Sequence, residues 1–331
     1  MKRVSLGSSG LLVTPLGIGL AALGRPGYIN LGHGQDLEGD YDVEGMEKNA
    51  HAVLDAAWGS GIRYFDAARS YGRAEQFLSS WLRTRDISPA EITVGSKWGY
   101  TYTADWRIKA EHHEIKEHSL AVLQRQFQES DGLLGSYLSL YQIHSATNES
   151  GVLKNDDVLT ELARLRSSGL RIGLSLSGPG QADTLRQALN IRFDGELLFS
   201  TVQATWNLLA QESGEALSEA SETGMGVIIK EALANGRLTS RNSEASFANK
   251  RALLEEAAAY YKTSADAVAL AAALNQPWAD VVLSGAATVS HLYSNVKAVG
   301  IKGAALADDL LRKMKETPTA YWTKRGQLAW N

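Results

Sequence analysis

Hydrophobic residues occur along the chain in eight short runs, separated by longer segments in which they recur every three or four positions. The runs are mostly continuous rather than alternating, as expected for parallel strands that are covered on both faces. They are LGIGL (16–20), IRYFDA (62–67), ITVGSK (92–97), LSLYQIH (138–144), LRIGLSL (170–176), STVQATW (200–206), GVIIKEA (226–232) and DVVLSG (280–285). The pattern predicts eight strands.

The segments between the runs have the period of a helix. In VEGMEKNAHAVLDAAWGSG (43–61), Met46, Ala50 and Val53 fall on one face, and glycines end the segment. The same period predicts helices in EQFLSSWLRTR (75–85), EIKEHSLAVLQRQFQES (114–130), DDVLTELARLRSSG (156–169), PGQADTLRQALN (179–190), GEALSEASETG (214–224), KRALLEEAAAYY (250–261) and SHLYSNVKAV (290–299). Strands and helices therefore alternate throughout.

Eight such units without a linker favour a single closed (β/α)8 TIM barrel over two open sheets, as one domain spanning residues 1–331. The segment SLGSSGLLV (5–13) reads as an N-terminal β-hairpin with a Ser-Gly turn, and we expect it to close the bottom of the barrel. In such barrels the carboxyl ends of the strands carry the chemistry.

Composition limits the classes of partner. The 33 basic and 37 acidic residues give a formal net charge of −4, which provides no basic surface for nucleic acid or an anionic membrane. No run reaches the roughly 18 apolar residues of a membrane span. We therefore expect a cytoplasmic protein with a small-molecule partner; the composition gives no oligomeric state.

The sequence also predicts no metal site. Cysteine is absent, and the adjacent residues His112 and His113 point apart in a regular element.

Candidate chemistry lies where three successive strands end. Asp66, Lys97 and His144 close the second, third and fourth runs, and Tyr71 follows the second. Each residue alone is typical of a solvated strand end or a helix cap. Because neighbouring strand ends meet at one rim of a barrel, we expect the four side chains to converge there.

The four residue types suit proton transfer to a carbonyl. Tyrosine has a reference pKa of about 10, and a nearby ammonium favours the tyrosinate, so we expect Lys97 to lower the pKa of Tyr71. Asp66 would pair with Lys97 and keep it charged, while His144 would donate a hydrogen bond to the carbonyl oxygen. A carbonyl polarised in this way is ready to accept a hydride.

At these residues the sequence resembles the aldo-keto reductase family, over nearly its whole length. The resemblance is carried by YFDAARSYGRAE (64–75), GSK (95–97), LYQIH (140–144), RIGLS (171–175), VQATWNLL (202–209) and VLSGAATVSHLYSN (282–295). It implies a barrel, a nicotinamide cofactor bound without a Rossmann domain, and a catalytic tetrad of Asp66, Tyr71, Lys97 and His144. The implied activity is hydride transfer that reduces aldehydes and ketones or oxidises sugars and alcohols, with Tyr71 as general acid or base.

The resemblance also implies where the cofactor binds. Ser175 and Gln203 would hold the carboxamide, Asn295 would contact adenine, and the helix that opens after residue 286 would face a phosphate. The implied cofactor contacts are Ser175, Gln203, Lys230, Leu233, Asn235, Arg237, Ser284, Gly285, Ala286, Thr288, His291 and Asn295.

The chain departs from the family pattern at the cofactor positions. Leu176 stands where Asn usually follows the carboxamide-binding serine, and Lys230 stands where the family often has an aromatic residue or Arg. Gly285 and His291 occupy positions where many members carry Lys and Arg for the 2′-phosphate of NADP. The pattern favours NADP(H) and leaves NAD(H) open.

Three aromatic-rich segments, 24–42, 98–106 and 320–330, are expected to form the walls of the substrate pocket. Tyr28, Trp98 and Tyr100 are the predicted substrate contacts, although plain packing at the barrel mouth would also explain these aromatic residues. The substrate would be a small carbonyl compound or alcohol.

Two other classes stay open. A regulatory subunit, similar to channel β-subunits of the same family, would bind the cofactor but turn over slowly. A phosphate-binding barrel isomerase or lyase would need neither Tyr71 nor Asn295. The complete tetrad favours the oxidoreductase.

Overall fold

Eight parallel strands close into a barrel in sequence order in the computed structural model, which describes residues 1–302 and 308–331. The barrel strands, first to eighth, are Leu16–Gly19, Tyr64–Asp66, Thr93–Trp98, Leu138–Ala146, Arg171–Leu176, Thr201–Thr205, Gly226–Lys230 and Val281–Ser284. Each falls within or overlaps a predicted run, so the predicted (β/α)8 TIM barrel is confirmed.

Helices surround the barrel. They are His33–Asp36, Val43–Gly59, Ala74–Thr84, Leu120–Leu134, Asp156–Ser167, Gln181–Ala188, Gly214–Glu222, Ala248–Tyr260, Ala265–Leu274, Val289–Val296, Asp308–Met314 and Pro318–Gly326. Within the described residues, none combines the length and the apolar composition that crossing a bilayer requires.

The helix predicted over 114–130 is wrong in its first part. Glu114–Lys116 is a strand that pairs in antiparallel fashion with Tyr100–Tyr102, and the helix begins only at Leu120. The Ser119 hydroxyl accepts a hydrogen bond from the Val122 backbone N–H at 3.3 Å, which caps the helix at that point. Periodicity alone did not reveal this boundary, and the hairpin that replaces the first turn lies beside the barrel mouth.

The helix Ala265–Leu274 was not predicted from the sequence. Its sequence, ADAVALAAAL, is almost wholly apolar, and most of its residues are buried. A helix that is covered all round has no polar face, so the amphipathic signal is absent.

The N-terminal hairpin, Val4–Ser5 with Leu12–Val13, closes the bottom of the barrel as expected. The Ser8 backbone N–H donates to Gly224 O at 2.7 Å, just before the seventh strand begins. Inside, the apolar residues that pack together at this end are Leu6, Val13, Tyr64, Leu140, Ile228, Val281 and Leu283. The polar strand ends therefore lie at the opposite rim, called the barrel mouth below.

Candidate active site

A cavity of about 850 Å³ opens at the barrel mouth. Asp66, Tyr71 and His144 line its inner end, and it continues along the rim to Ser284 and Asn295. This volume lies in the upper part of the range found for small-molecule sites. The cavity is therefore long enough to hold a ligand that spans several strand ends.

Lys97 and Asp66 form a buried ion pair beneath this cavity, with both side chains 2% exposed or less. Asp66 lies opposite Gly95 in the parallel register, and Lys97 follows two residues later on the same face. The Lys97 ammonium contacts the Asp66 carboxylate and donates to Ala67 O at 2.9 Å. Because Gly95 has no side chain, the Tyr64 hydroxyl fits beside it and donates to Asp66 Oδ2 at 3.1 Å.

Two glutamines complete the shell around the carboxylate. Gln203 Nε2 donates to Asp66 Oδ2 at 2.9 Å, and Gln142 Nε2 approaches the same oxygen at 3.3 Å. The amide nitrogen of Gln203, predicted for a cofactor carboxamide, is therefore already engaged by Asp66. Asp66 is held by four neighbouring side chains, which orient it rigidly.

Tyr71 reaches the mouth on a tight turn. Gly72 has φ +60°, a conformation that favours glycine, and a Cβ on Gly24 would overlap the Tyr71 carbonyl oxygen. The turn therefore packs in direct contact with Gly24, in the segment that follows the first strand. The phenol ring lies with its centroid 4.9 Å from Lys97 Nζ, and its hydroxyl is 3.5 Å from His144 Nε2. The four tetrad side chains thus converge as predicted.

The expected effect of Lys97 on Tyr71 is wrong. Burial raises the pKa of the Tyr71 phenol above its usual value; the Asp66 carboxylate adds to the rise, and the Arg25 guanidinium opposes it. The Lys97 ammonium is paired with Asp66, and the loss of water together with the nearby Asp66 carboxylate decides the direction of the shift. Tyr71 therefore carries its proton at neutral pH.

His144 is neutral. Burial is the main cause that holds the pKa of its imidazole well below the usual range, and the positive charges of Lys97 and Lys230 lower it further. The Ser70 hydroxyl lies 3.4 Å from Nδ1, so it can donate there and leave the proton on Nε2, the nitrogen that faces Tyr71. A neutral imidazole with an N–H aimed into the cavity is suited to donate to an oxygen atom.

Most of the predicted cofactor residues line the cavity. They are Gln203, Lys230, Leu233, Asn235, Ser284, Gly285, Ala286, His291 and Asn295. Three other predicted cofactor residues, Ser175, Thr288 and Arg237, do not line the cavity. Ser175 is buried and accepts from the Ser145 N–H at 2.8 Å, and Thr288 caps the helix Val289–Val296. Arg237 forms a bidentate ion pair with Glu316, at 2.7 and 3.0 Å.

Two of the predicted substrate contacts, Tyr28 and Tyr100, line the cavity. The ring of Tyr100 meets the His144 ring edge-on, with centroids 4.9 Å apart. Trp98 does not reach the cavity: it is fully buried and packs against the ring of His118 at 5.5 Å. It follows Lys97 on the strand, and successive side chains of a strand point to opposite faces.

Arg25 and Glu114 form a pair at the mouth that the sequence did not reveal. Arg25 Nη1 donates to Glu114 Oε2 at 2.9 Å, and its guanidinium lies 5.3 Å from the centroid of the Tyr71 ring and 4.8 Å from that of Trp330. Arg25 belongs to a segment expected to wall the pocket. Glu114 was predicted to be helical, so nothing local suggested that the two would meet.

A second pair, Glu231 and Arg325, lies on the other side of the mouth, at 2.8 Å. Burial alone would raise the pKa of the Glu231 carboxyl. The positive charges of Arg325 and Lys230, together with a hydrogen bond that Arg325 donates, instead hold this pKa at about 2. Burial lowers the pKa of the Lys230 ammonium to about 8, although Glu231 opposes the shift. Lys230 donates to Thr205 Oγ1 at 2.9 Å.

The low pKa of Glu231 predicts a specific dependence of stability on pH. A carboxyl whose pKa falls from 4.5 to about 2 on folding stabilises the protein above pH 4.5, by about 3 kcal/mol. That contribution is lost as the pH falls through about 2. Glu231→Gln removes the titrating group, so urea unfolding from pH 7 to pH 2 should show a free energy of unfolding that falls less steeply than in the wild type. If the free energy of unfolding varied with pH in the same way for both proteins, the low pKa of Glu231 would be wrong.

Comparison with known proteins agrees with this architecture. The model of the aldo/keto reductase family matches residues 27–309, so the chain belongs to that family and is an NAD(P)H-dependent oxidoreductase. It is similar to pyridoxal 4-dehydrogenase from Microbacterium luteolum, with 28% identity over 74% of this chain and 75% of that protein. It is also similar to the uncharacterized oxidoreductase YqkF of Bacillus subtilis, with 25% identity over 91% and 92% of the two chains.

Among solved structures, the chain resembles the holo form of the aldo-keto reductase AKR11C1 from Bacillus halodurans. The TM-score is 0.72, the identity is 21%, and the match covers 96% of this chain and 97% of that chain. At this identity the likeness concerns the fold.

Proposed function

We propose that this protein transfers a hydride between a nicotinamide dinucleotide and the carbonyl carbon of a small aldehyde or ketone, with Tyr71 as the proton donor in reduction. One observation carries the proposal: the Tyr71 hydroxyl and the His144 imidazole lie 3.5 Å apart at the inner end of a long cavity. The Lys97–Asp66 ion pair lies directly beneath them.

The cavity fits a dinucleotide. Its lining runs from Tyr71 past Lys230 to the segment Ser284–Ala286 and Asn295, so one extended ligand could reach all of these. Asp36 also lies along it, and its buried Oδ2, which has no partner in the part of the chain that the structure describes, would accept a hydrogen bond from a ligand hydroxyl. A bound nicotinamide supplies the hydride in reduction and accepts it in oxidation.

Residues of the protein supply the proton and stabilise the charge on the carbonyl oxygen. Tyr71 donates its hydroxyl proton to the carbonyl oxygen as negative charge develops there, and His144 donates from Nε2 to the same oxygen. The Lys97 ammonium, which Asp66 holds in place, lies 4.9 Å from the centroid of the phenol ring and supports it from below. Because the pKa of Tyr71 is raised, the donor stays protonated across the neutral range.

The charges at the mouth support an uncharged substrate. Arg25 is paired with Glu114, and both Arg325 and Lys230 lie against Glu231, so each of these three cations already faces a carboxylate. Tyr28, Tyr100 and Trp330 add aromatic surface to the cavity. A compact neutral carbonyl compound, such as an aromatic aldehyde or a sugar, suits this lining.

Cofactor titration followed by a substrate panel tests the proposal. NADH or NADPH should quench the tryptophan fluorescence, and reduced cofactor should be oxidised in the presence of neutral aromatic aldehydes, sugars, methylglyoxal or pyridoxal, the compound in one relative's name. Carboxylated analogues of the same aldehydes should react more slowly. Failure of both cofactors to bind would refute the proposal, and binding without turnover of any carbonyl or alcohol would favour the regulatory alternative.

A further inference from the structure

Asp36 lies in the wall of the cavity, beside the helix Val289–Val296 that follows the eighth strand. Its side chain is 2% exposed; one oxygen is paired with the Arg241 guanidinium and lies 3.6 Å from His291 Nε2. The other oxygen, Oδ2, is buried and has no hydrogen-bond partner among residues 1–302 and 308–331. A buried acceptor of this kind is costly unless something donates to it.

This end of the cavity is acidic. Three carboxylates line it, from Asp36, Glu255 and Asp266, against a single guanidinium, that of Arg241. Arg241 is already engaged, since it contacts Asp36 through Nη2 and donates to Gly32 O through Nη1 at 2.6 Å. The other Lys and Arg side chains that line the cavity lie at the barrel mouth: Arg25, Lys230 and Arg325.

If the nicotinamide lies at Tyr71, as the proposed function requires, the adenosine of a dinucleotide that fills the cavity lies at this opposite end, beside Asn295. Its amide satisfies both neighbours when its oxygen accepts from Ser284 at 2.9 Å and its nitrogen donates to Asp266 at 2.8 Å. His291, one turn earlier on the same helix, lies against Asp36. A ribose attached to an adenine held near Asn295 therefore comes close to the free oxygen of Asp36.

A carboxylate at the ribose has a known chemical consequence. It accepts a hydrogen bond from the 2′-hydroxyl of NAD, whereas the 2′-phosphate of NADP needs arginine or lysine and is repelled by a carboxylate. We propose that Asp36 accepts the 2′-hydroxyl of the adenosine ribose and that the protein thereby selects NAD(H) over NADP(H). This inference rests on the proposed function, and it reverses the preference that the sequence pattern favours.

The experiment compares the affinities of NADH and NADPH by quenching of tryptophan fluorescence. The wild type should bind NADH about tenfold more tightly or better, and Asp36→Asn should shift the ratio at least tenfold towards NADPH, since it removes the repelling charge and frees Arg241. A wild type that prefers NADPH overturns the inference but leaves the proposed function intact. A wild type that binds neither cofactor defeats the proposed function itself.

Glu255→Gln is the matched control, because it removes the same charge from an exposed position of the same cavity. It should change the ratio by less than about twofold. A shift as large as that of Asp36→Asn would show a general effect of charge and would overturn the assigned hydrogen bond.

A third measurement does not depend on the folding of a variant. An NADH analogue without the adenosine 2′-hydroxyl should bind the wild type roughly tenfold more weakly than NADH, since a hydrogen bond to a charged group is lost. In the Asp36→Asn variant, the affinities for NADH and the analogue should differ by less than that factor. Equal affinity of the wild type for NADH and the analogue would refute the contact.

Discussion

Replacing Tyr71 with phenylalanine is expected to lower kcat for carbonyl reduction by a factor of about 10² to 10⁴, the usual contribution of a general acid. The substitution removes only the hydroxyl, whose one side-chain hydrogen-bond partner among the described residues is His144 Nε2, at 3.5 Å. The ring stays between the Lys97 ammonium and the Arg25 guanidinium. Steady-state oxidation of the reduced cofactor measures the loss, and the Kd of the cofactor, from fluorescence, should stay within about twofold.

Tyr100→Phe is the matched control for this experiment. Tyr100 lines the same cavity and also packs edge-on against His144, with ring centroids 4.9 Å apart. Its hydroxyl has no assigned role in proton transfer, so the effect should fall mainly on KM, with kcat within a few-fold of the wild type. If Tyr71→Phe kept the wild-type kcat, or if Tyr100→Phe lost as much, the assignment of the acid would be wrong.

Replacing Lys97 with methionine should lower the free energy of unfolding by about 3 to 5 kcal/mol, because it leaves the Asp66 carboxylate buried without its counterion. Both partners of this pair are almost fully buried, so solvent does not screen the loss. Turnover should fall as well, since Lys97 contacts the ring of the proton donor. Urea unfolding followed by tryptophan fluorescence measures the change in stability.

Two further variants separate charge from packing. The double variant Asp66→Asn with Lys97→Met removes both charges and should be more stable than Lys97→Met alone. Lys324→Met breaks an exposed ion pair with Glu244 and should leave the free energy of unfolding nearly unchanged. A double variant less stable than Lys97→Met would show that the buried charge is not the source of the loss.

The strands were predictable because their signal is local and repeated. Each of the eight runs is continuous in the sequence, and each barrel strand is buried along most of its length. Asp66, Lys97 and His144 could be grouped for the same reason, since a barrel brings consecutive strand ends to one rim. Tyr71 joined them because it lies five residues beyond Asp66, on the turn that leaves the second strand.

The electrostatics of these residues were not predictable. The sequence correctly suggested that Asp66 would pair with Lys97, yet the direction of the pKa shift of Tyr71 came out opposite. A sequence shows which charges are near in the chain but not how much water each group loses. Desolvation is the first cause of the shift at both Tyr71 and His144, and it depends on every element that packs over the mouth.

By itself, the sequence determined the barrel, the position of its mouth and the four side chains at or beneath the inner end of the cavity, because all of these follow from periodicity and strand order. Only the tertiary structure decided which distant groups complete the cavity: Glu114 against Arg25, and Arg241 against Asp36, 205 residues apart in the chain. Such pairs leave no local pattern, since they form where separate loops close over one another. The unpartnered oxygen of Asp36, from which we infer the choice of cofactor, is visible only after that closure.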